Sequence, residues 1–334
     1  MRIGPHSTDD RALVVAEIGN NHEGDPEVAR RLVDVAADAG CDAVKLQVFT
    51  VEGFVRPSDV PRREQMARFQ LDDAVVIELL ASARKRGMAA VATPLDEASL
   101  DLVEPHVDAV KIASGDNDFL PLLRRAGWGP NPVVVSTGLA DERVVARAVD
   151  AVREGRGGRG DDLALLHCVS AYPAPPQAAN LAAIRWLSDR FRLPVGYSDH
   201  TLGIEAAALA VAAGARIVEK HITLDHEHSD FRDHALSAEP QELRAMVEAV
   251  RRAELLLGAP SKAVQPEEQP LLEAARRSIV ARDDLPAGHV IRAEDLDWKR
   301  PRDGMEPGRE TELIGRSVRA AVSAGDALLP EAVA

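Results

Sequence analysis

The sequence predicts an α/β protein: a (β/α)8 TIM barrel followed by a small β-rich domain. Three features predict it. Eight short β-branched runs recur between residues 13 and 221. Amphipathic helical patterns lie between them. The alternation ends at Gly258, where a proline-punctuated stretch leads into a tail of different texture.

The predicted strands are Leu13–Ile18, Ala43–Val48, Ala89–Thr93, Ala109–Ala113, Val133–Thr137, Leu163–Cys168, Val195–Ser198 and Ala215–His221. Helical patterns cover Asp25–Ala39, Asp72–Arg86, Asp141–Glu154 and Ile204–Ala213, and an eighth helix runs near Gln241–Leu257. Gly40, Gly87, Gly127 and Gly214 stand where a C-terminal glycine cap is expected. β-α units in series favour a parallel sheet, and eight of them favour its closure as a barrel over the rival, a doubly wound open sheet. Residues 1–258 then form the barrel. Residues 259–275, with Pro260, Pro266 and Pro270, read as a linker. In residues 276–334, Ser278–Ala281, Pro286–Ile291, Ser317–Ala320 and Ser323–Leu328 suggest a weak echo of strand, glycine turn and strand. So small a domain has little core of its own.

Composition narrows the function. The chain has 334 residues and a net charge of −14. Nucleic acid needs a basic partner surface, so it is excluded as a main ligand. A small anionic substrate is not, because a site can be locally cationic. Cys41 and Cys168 have no metal-ligand spacing, and reduced thiols fit a cytoplasmic protein. Met1–Asp10 is too polar for a signal peptide, and Ala206–Val218, broken by Gly214 and Arg216, is too short to span a membrane. The Gly-rich stretch Arg153–Asp162 holds no phosphate-loop pattern and reads as a surface connection.

Barrel enzymes place their chemistry at the C-terminal strand ends. Here every strand ends on a polar or charged group. Lysine is scarce in this chain, yet Lys45 and Lys111 both sit inside apolar runs. A buried lysine needs an ion pair or an anion. Pairs with Glu17 and Glu219 are one reading. The other is a pocket for carboxylate and phosphate oxygens, built from both lysines with Thr93, Ser114, Ser136 and Ser198. His200 and His221 end adjacent strands. They read as core histidines or, beside Glu17 and Asp199, as ligands of a divalent metal with open positions. The loop after strand eight adds His226, His228, Asp230, Asp233 and His234, either solvated or facing an acceptor.

Together these strand ends resemble the sialic acid synthase family, which joins phosphoenolpyruvate to a hexosamine. The matching stretches are Glu17–Gly24, Lys45-Leu46-Gln47, Thr93-Pro94, Lys111–Asp116, Ser136–Gly138, Leu166–Cys168, Tyr172-Pro173, Ser198–Thr201, Glu219–His221 and Asp233-His234 through Pro240. The tail, with Lys299-Arg300-Pro301, resembles the family's antifreeze-like SAF domain. The resemblance implies that Lys45, Thr93, Lys111, Ser114, Ser136 and Ser198 hold phosphoenolpyruvate, with Gln47 and Ser170 nearby. It implies Mn²⁺, or else Mg²⁺ or Co²⁺, on His200 and His221. Glu17 would transfer a proton beside the acceptor, an N-acetylated hexosamine such as N-acetylmannosamine, and Tyr172 and Asp233 would touch its hydroxyls. It further implies a homodimer in which the SAF domain caps the partner barrel and brings Arg300 to the sugar. The product would be a nine-carbon 2-keto sugar acid.

Val48, Phe231-Arg232 and Arg302 depart from the pattern, where many members have Thr, Gly-Pro and Gly. The last two departures fall where the acceptor would bind, and legionaminic-type and spore-coat-type synthases share most of the same motifs. Two other functions fit parts of the sequence. A class II aldolase or hydrolase would use the histidines but leave Lys45 and Lys111 unexplained. A non-catalytic carbohydrate- or ice-binding protein would rest on the tail and leave the strand ends unexplained.

Overall fold

Eight parallel strands close into a barrel, each bonded to the next and the last to the first. The computed structural model describes residues 1–160 and 162–334, so Asp161, within the 153–162 connection, lies outside the described residues. The strands are β1 Leu13–Gly19, β2 Ala43–Val48, β3 Ala89–Pro94, β4 Ala109–Ile112, β5 Val133–Ser136, β6 Leu163–Cys168, β7 Val195–Asp199 and β8 Ile217–His221. The helices are α1 Pro26–Ala39, α2 Val60–Phe69, α3 Asp73–Lys85, α4 Glu97–Val103, α5 Leu120–Trp128, α6 Glu142–Arg156, α7 Ala182–Phe191, α8 Glu205–Ala212 and α9 Pro240–Leu257. Of these, α2 is an insertion between β2 and α3.

Alternation along each strand separates two cores. One set of residues packs outward against the helices, including Val14, Ala16, Val44, Leu46, Val110 and Val135. The other set fills the barrel: Leu13, Val15, Ala43, Ala89, Val91, Ala109, Val134, Ala164, Leu166 and Ile217. Ile3, from a short N-terminal hairpin, joins this inner set. One step further along each strand, the same inward parity reaches the polar residues of the site.

Helix ends follow local chemistry. Asp25 accepts the backbone N–H of Glu27 at 2.8 Å to start α1, and Gly40 closes it in the left-handed region. Gly127 differs from expectation. It lies inside α5 and caps nothing, because an added Cβ there would come within 2.2 Å of the Val152 carbonyl of α6. Close helix packing, not a turn, requires that glycine.

Residues 1–258 form one compact unit and 259–334 another. In the second, β9 (Ser278–Ala281) pairs antiparallel with β10 (Leu296–Lys299). The expected strand at 286–291 is reduced to single bridges, Leu285 with Val322 and Val290 with Ser317. A core including Ile279, Leu285, Ile291, Leu296, Leu313, Val318 and Leu328 holds the unit together. The stretch 259–275 is exposed but not featureless: it winds into turns at Pro266–Leu271 and Leu272–Ala275.

Candidate active site

The inward parity collects Glu17, Lys45, Thr93, Lys111, Ser136, Ser198 and Glu219 toward the C-terminal end of the barrel, all buried. Glu219 on β8 is the hub. Its Oε1 lies 2.7 Å from Lys45 Nζ and 3.5 Å from Lys111 Nζ, and it accepts the Ser198 hydroxyl at 2.9 Å. Glu17 sits 3.4 Å from Lys45 Nζ and accepts Gln47 Nε2 at 2.8 Å. Ion pairs, one of the two sequence readings of these lysines, are therefore present, and they form one connected network.

Burial sets the charge states. It pushes the Glu17 carboxyl up against the pull of Lys45, to about 6. It draws the Lys111 ammonium down, Glu219 resists and Lys45 adds to the fall, leaving it at about 8. Burial would raise Glu219, but Lys111 and Lys45 hold it well below the usual carboxylate range.

Three hydroxyls around this network, on Thr93, Ser136 and Ser170, are buried without a hydrogen-bond partner. Such groups are costly unless something meets them. Ser114 accepts the Gly138 N–H at 3.2 Å, and a Cβ on Gly138 would fall 2.6 Å from Ser114 Oγ and 2.3 Å from Ser170 Oγ. Gly138 thus lets two strand-end serines approach one point.

Beside these groups, the rings of His200 and His221 lie 5.5 Å apart, and Tyr172 packs 4.3 Å from His200. The Val169 carbonyl accepts from His200 Nδ1 at 3.0 Å, which leaves Nε2 as the ring nitrogen open to another partner. His221 Nδ1 is buried with no partner. Asp199 does not join them. It points to the outer face, where it accepts Lys220 Nζ at 3.0 Å and the Thr201 hydroxyl at 2.7 Å. Sequence adjacency to His200 misplaces it, because neighbouring residues of a strand face opposite sides.

A cavity of about 580 Å³ opens at this end, with Gln47, Asp116, Tyr172, His221, Phe231 and Asp233 among its walls. Arg232 lies over the Tyr172 ring at 4.6 Å, and Phe231 meets Phe69 of α2 edge-on at 5.0 Å. The departures at 231 and 232 thus build an aromatic and cationic wall. Burial raises Asp233, and burial with the neighbouring Asp118 pushes Asp116 up to about 6. Arg300 lies in the second unit, exposed directly after β10. The Ser278 hydroxyl fixes that turn, donating to the Pro301 carbonyl at 3.0 Å and accepting Asp303 N–H at 2.9 Å.

Residues 32–262 match the NeuB family, which is more than half of the chain. The chain belongs to the NeuB family. Its residues 276–334 match the SAF domain. It is a phosphoenolpyruvate-dependent synthase of the transferase class, acting on an amino-sugar acceptor. It is 37% identical to the N,N'-diacetyllegionaminic acid synthase of Legionella pneumophila, over 98% of this chain and 96% of that one. It is 34% identical to the Campylobacter jejuni protein of the same name, over 92% of this chain and 95% of that one. A crystal structure of a spore coat polysaccharide biosynthesis protein E from Chromobacterium violaceum matches with TM-score 0.83 at 29% identity, over 97% of this chain and all of that one.

Several residues of the NeuB cavity carry no assigned role in the sequence reading. Asp116 is one, although its place five residues beyond Lys111, past a strand end, was a usable signal. Asn20 donates to Gln47 at 3.1 Å and so orients a side chain that reaches Glu17. Arg62, Gln65 and Met66 come from α2, whose position over the mouth no strand pattern announces. No helix among the described residues is long and apolar enough to cross a membrane.

Proposed function

We propose that residues 1–258 condense phosphoenolpyruvate with an N-acetylated hexosamine, N-acetylmannosamine or a close relative, giving a nine-carbon 2-keto sugar acid and phosphate. One observation carries this reading: two buried lysines stand at the same end of the barrel as buried hydroxyls that have no partner. Lys45, Lys111, Thr93, Ser114, Ser136 and Ser198 would hold the donor, with Gln47 and Ser170 beside them. Donor oxygens would satisfy the orphaned hydroxyls and offset the lysine charge. Tyr172 and Asp233 would receive the acceptor's hydroxyls. Glu17, titrating at about 6, is suited to moving a proton near neutral pH.

His200 and His221 would hold a divalent ion, Mn²⁺ in preference to Mg²⁺ or Co²⁺. The partnerless Nδ1 of His221 and the carbonyl-oriented ring of His200 fit that use. When bound, such an ion supplies Lewis-acid polarisation of the sugar's open-chain aldehyde. The donor's C3 attacks the aldehyde carbon and forms the new carbon–carbon bond. Water adds at C2, where positive charge has developed. The resulting hemiketal phosphate loses inorganic phosphate by C–O cleavage. Lys45 and Lys111 position the donor throughout and hold its negative charge.

Residues 259–275 would link the barrel to the SAF domain, 276–334. In a homodimer that domain would cap the partner barrel and bring Arg300 to the sugar. Its small core and the exposure of Arg300 support this.

The test is phosphate release from mixtures of phosphoenolpyruvate, Mn²⁺ and a panel of hexosamines. The panel should include the sugar precursor of N,N'-diacetyllegionaminic acid, because two relatives, 37% and 34% identical, are synthases of that name. Release is expected only with all three components present, with a product of the summed mass. Equal turnover of free pyruvate would replace this reading with an aldolase.

The donor pocket makes its own prediction at Gly138. Gly138→Ala forces the Ser114 and Ser170 hydroxyls to turn away. Both can rotate, so stability should fall by less than about 1.5 kcal/mol, while phosphoenolpyruvate affinity drops about tenfold. Thermal melting and donor titration read the two effects separately. Unchanged affinity would take both serines out of the pocket.

A further inference from the structure

A second group of metal-binding side chains stands apart from His200 and His221. It joins the turn before α1 to the loop after β8. One ligand atom each from Glu23, His228 and His234 all lie within 4.8 Å of one another. The two imidazole rings are 5.2 Å apart. His234 is buried, Glu23 half-buried and His228 exposed, so a captured ion would have an open side toward solvent.

Hydrogen positions around His234 sharpen the case. The Thr223 hydroxyl donates its only proton to the Asp225 carbonyl at 2.9 Å. Toward His234 Nδ1, 2.7 Å away, it can then only accept. With the ring hydrogen on Nδ1, an uncharged imidazole would present its lone pair at Nε2. That lone pair faces Glu23 Oε1 at 3.0 Å. Two acceptors at this distance repel unless a positive charge lies between them. An extra proton would serve two groups, but a third donor, His228, reaches the same point. Two imidazoles and a carboxylate form a three-ligand set that leaves a fourth position for water. Glu23 is also held in place: its backbone has φ 46, uncommon for a residue with a side chain, and Ser229 Oγ donates to its Oε1.

We propose that Glu23, His228 and His234 bind a divalent ion of zinc type, separate from the pair at His200 and His221. The ion clamps the loop after β8 onto the β1–α1 turn. That loop carries Phe231, Arg232 and Asp233, so the clamp fixes one wall of the cavity.

The experiment is equilibrium dialysis of the metal-free, full-length protein against Zn²⁺ alone, with the bound metal counted per chain. His228 is exposed, so His228→Ala keeps the fold and is expected to bind about one equivalent fewer than the unaltered chain. The variant His200→Ala/His221→Ala is expected to keep about one equivalent, which adding His228→Ala removes. Co²⁺ in place of Zn²⁺ gives a second readout, since the absorption of the tetrahedral ion should vanish with His228. Equal Zn²⁺ stoichiometry and affinity with and without His228 would overturn the site. So would a folded His200→Ala/His221→Ala variant that takes up no Zn²⁺.

Discussion

Lys111→Met should abolish turnover while leaving the barrel folded. The substitution keeps most of the side-chain volume and removes the charge. Glu219 retains Lys45 at 2.7 Å and the Ser198 hydroxyl at 2.9 Å, so no buried carboxylate is stranded. On the proposed reading, what is lost is a buried cation that would meet an anionic donor. A charge-assisted contact in such a site is worth about 3 kcal/mol, and with about 1.4 kcal/mol per decade this is a loss of a hundredfold or more in donor affinity. Added loss in the transition state brings kcat/KM down by about a thousandfold or more. Calorimetric titration with phosphoenolpyruvate and steady-state phosphate release measure the two. Wild-type donor affinity in the variant would remove Lys111 from the pocket.

The same lysine sets a pH limit. A lysine binds an anion when protonated. With its pKa drawn down to about 8, Lys111 loses its proton in the free enzyme as pH rises through that value. Donor affinity should therefore decline above pH 8, and this decline should be missing in Lys111→Met. The sign for stability is the reverse. The unfolded chain holds the Lys111 proton up to an ordinary lysine pKa, so between about 8 and 10.4 it binds more protons than the folded chain. This contribution to stability rises with pH across that window, while donor binding weakens. The barrel carries an unfavourable buried ammonium, and removing it should leave the melting temperature unchanged or higher.

The lysines were legible because they broke a pattern: a charge inside an apolar run must be explained. Once β2 and β4 were placed, strand parity put Lys45 and Lys111 on one face with Thr93 and Ser136. Sequence reasoning offered ion pairs or an anion pocket, and the ion pairs are present, joined through Glu219. Parity also shows why Asp199 misled. It neighbours His200 in sequence, but β7 turns the two side chains opposite ways, and Lys220 makes the same outward turn on β8 to meet it. Other parts were not readable because they depend on packing between distant segments. The α2 insertion reaches the cavity mouth through the contact of Phe69 with Phe231, 162 positions apart by subtraction of their numbers. The expected strand at 286–291 failed because that part of the small unit is held by single bridges, Leu285 with Val322 and Val290 with Ser317, rather than by a continuous ladder.

His221→Ala and metal removal should converge on one phenotype. His221 is fully buried at the end of β8, and burial, with His200 and Lys45 nearby, keeps its imidazole from protonating at working pH. A lone pair is therefore present on a ring whose Nδ1 has no protein partner. His200 is oriented by the Val169 carbonyl, which fixes the nitrogen left for an ion. An uncharged His221 ring beside an imidazole held in that orientation suits a shared ion. Chelation should reduce phosphate release by about a hundredfold or more, since even outer-shell changes at metal sites cost about 10–100-fold. Adding back Mn²⁺ should restore the wild-type protein, and Mg²⁺ or Co²⁺ should do so in part. His221→Ala should start at the chelated level and stay there whatever ion is added. Donor binding offers the internal control, because Lys45, Lys111 and the strand-end hydroxyls remain in place. The variant should therefore still bind phosphoenolpyruvate, though less tightly, and fail to turn over. Full turnover after thorough chelation would remove the metal from the mechanism. Rescue of His221→Ala by excess Mn²⁺ would instead keep the metal and show that His200 with solvent suffices to hold it.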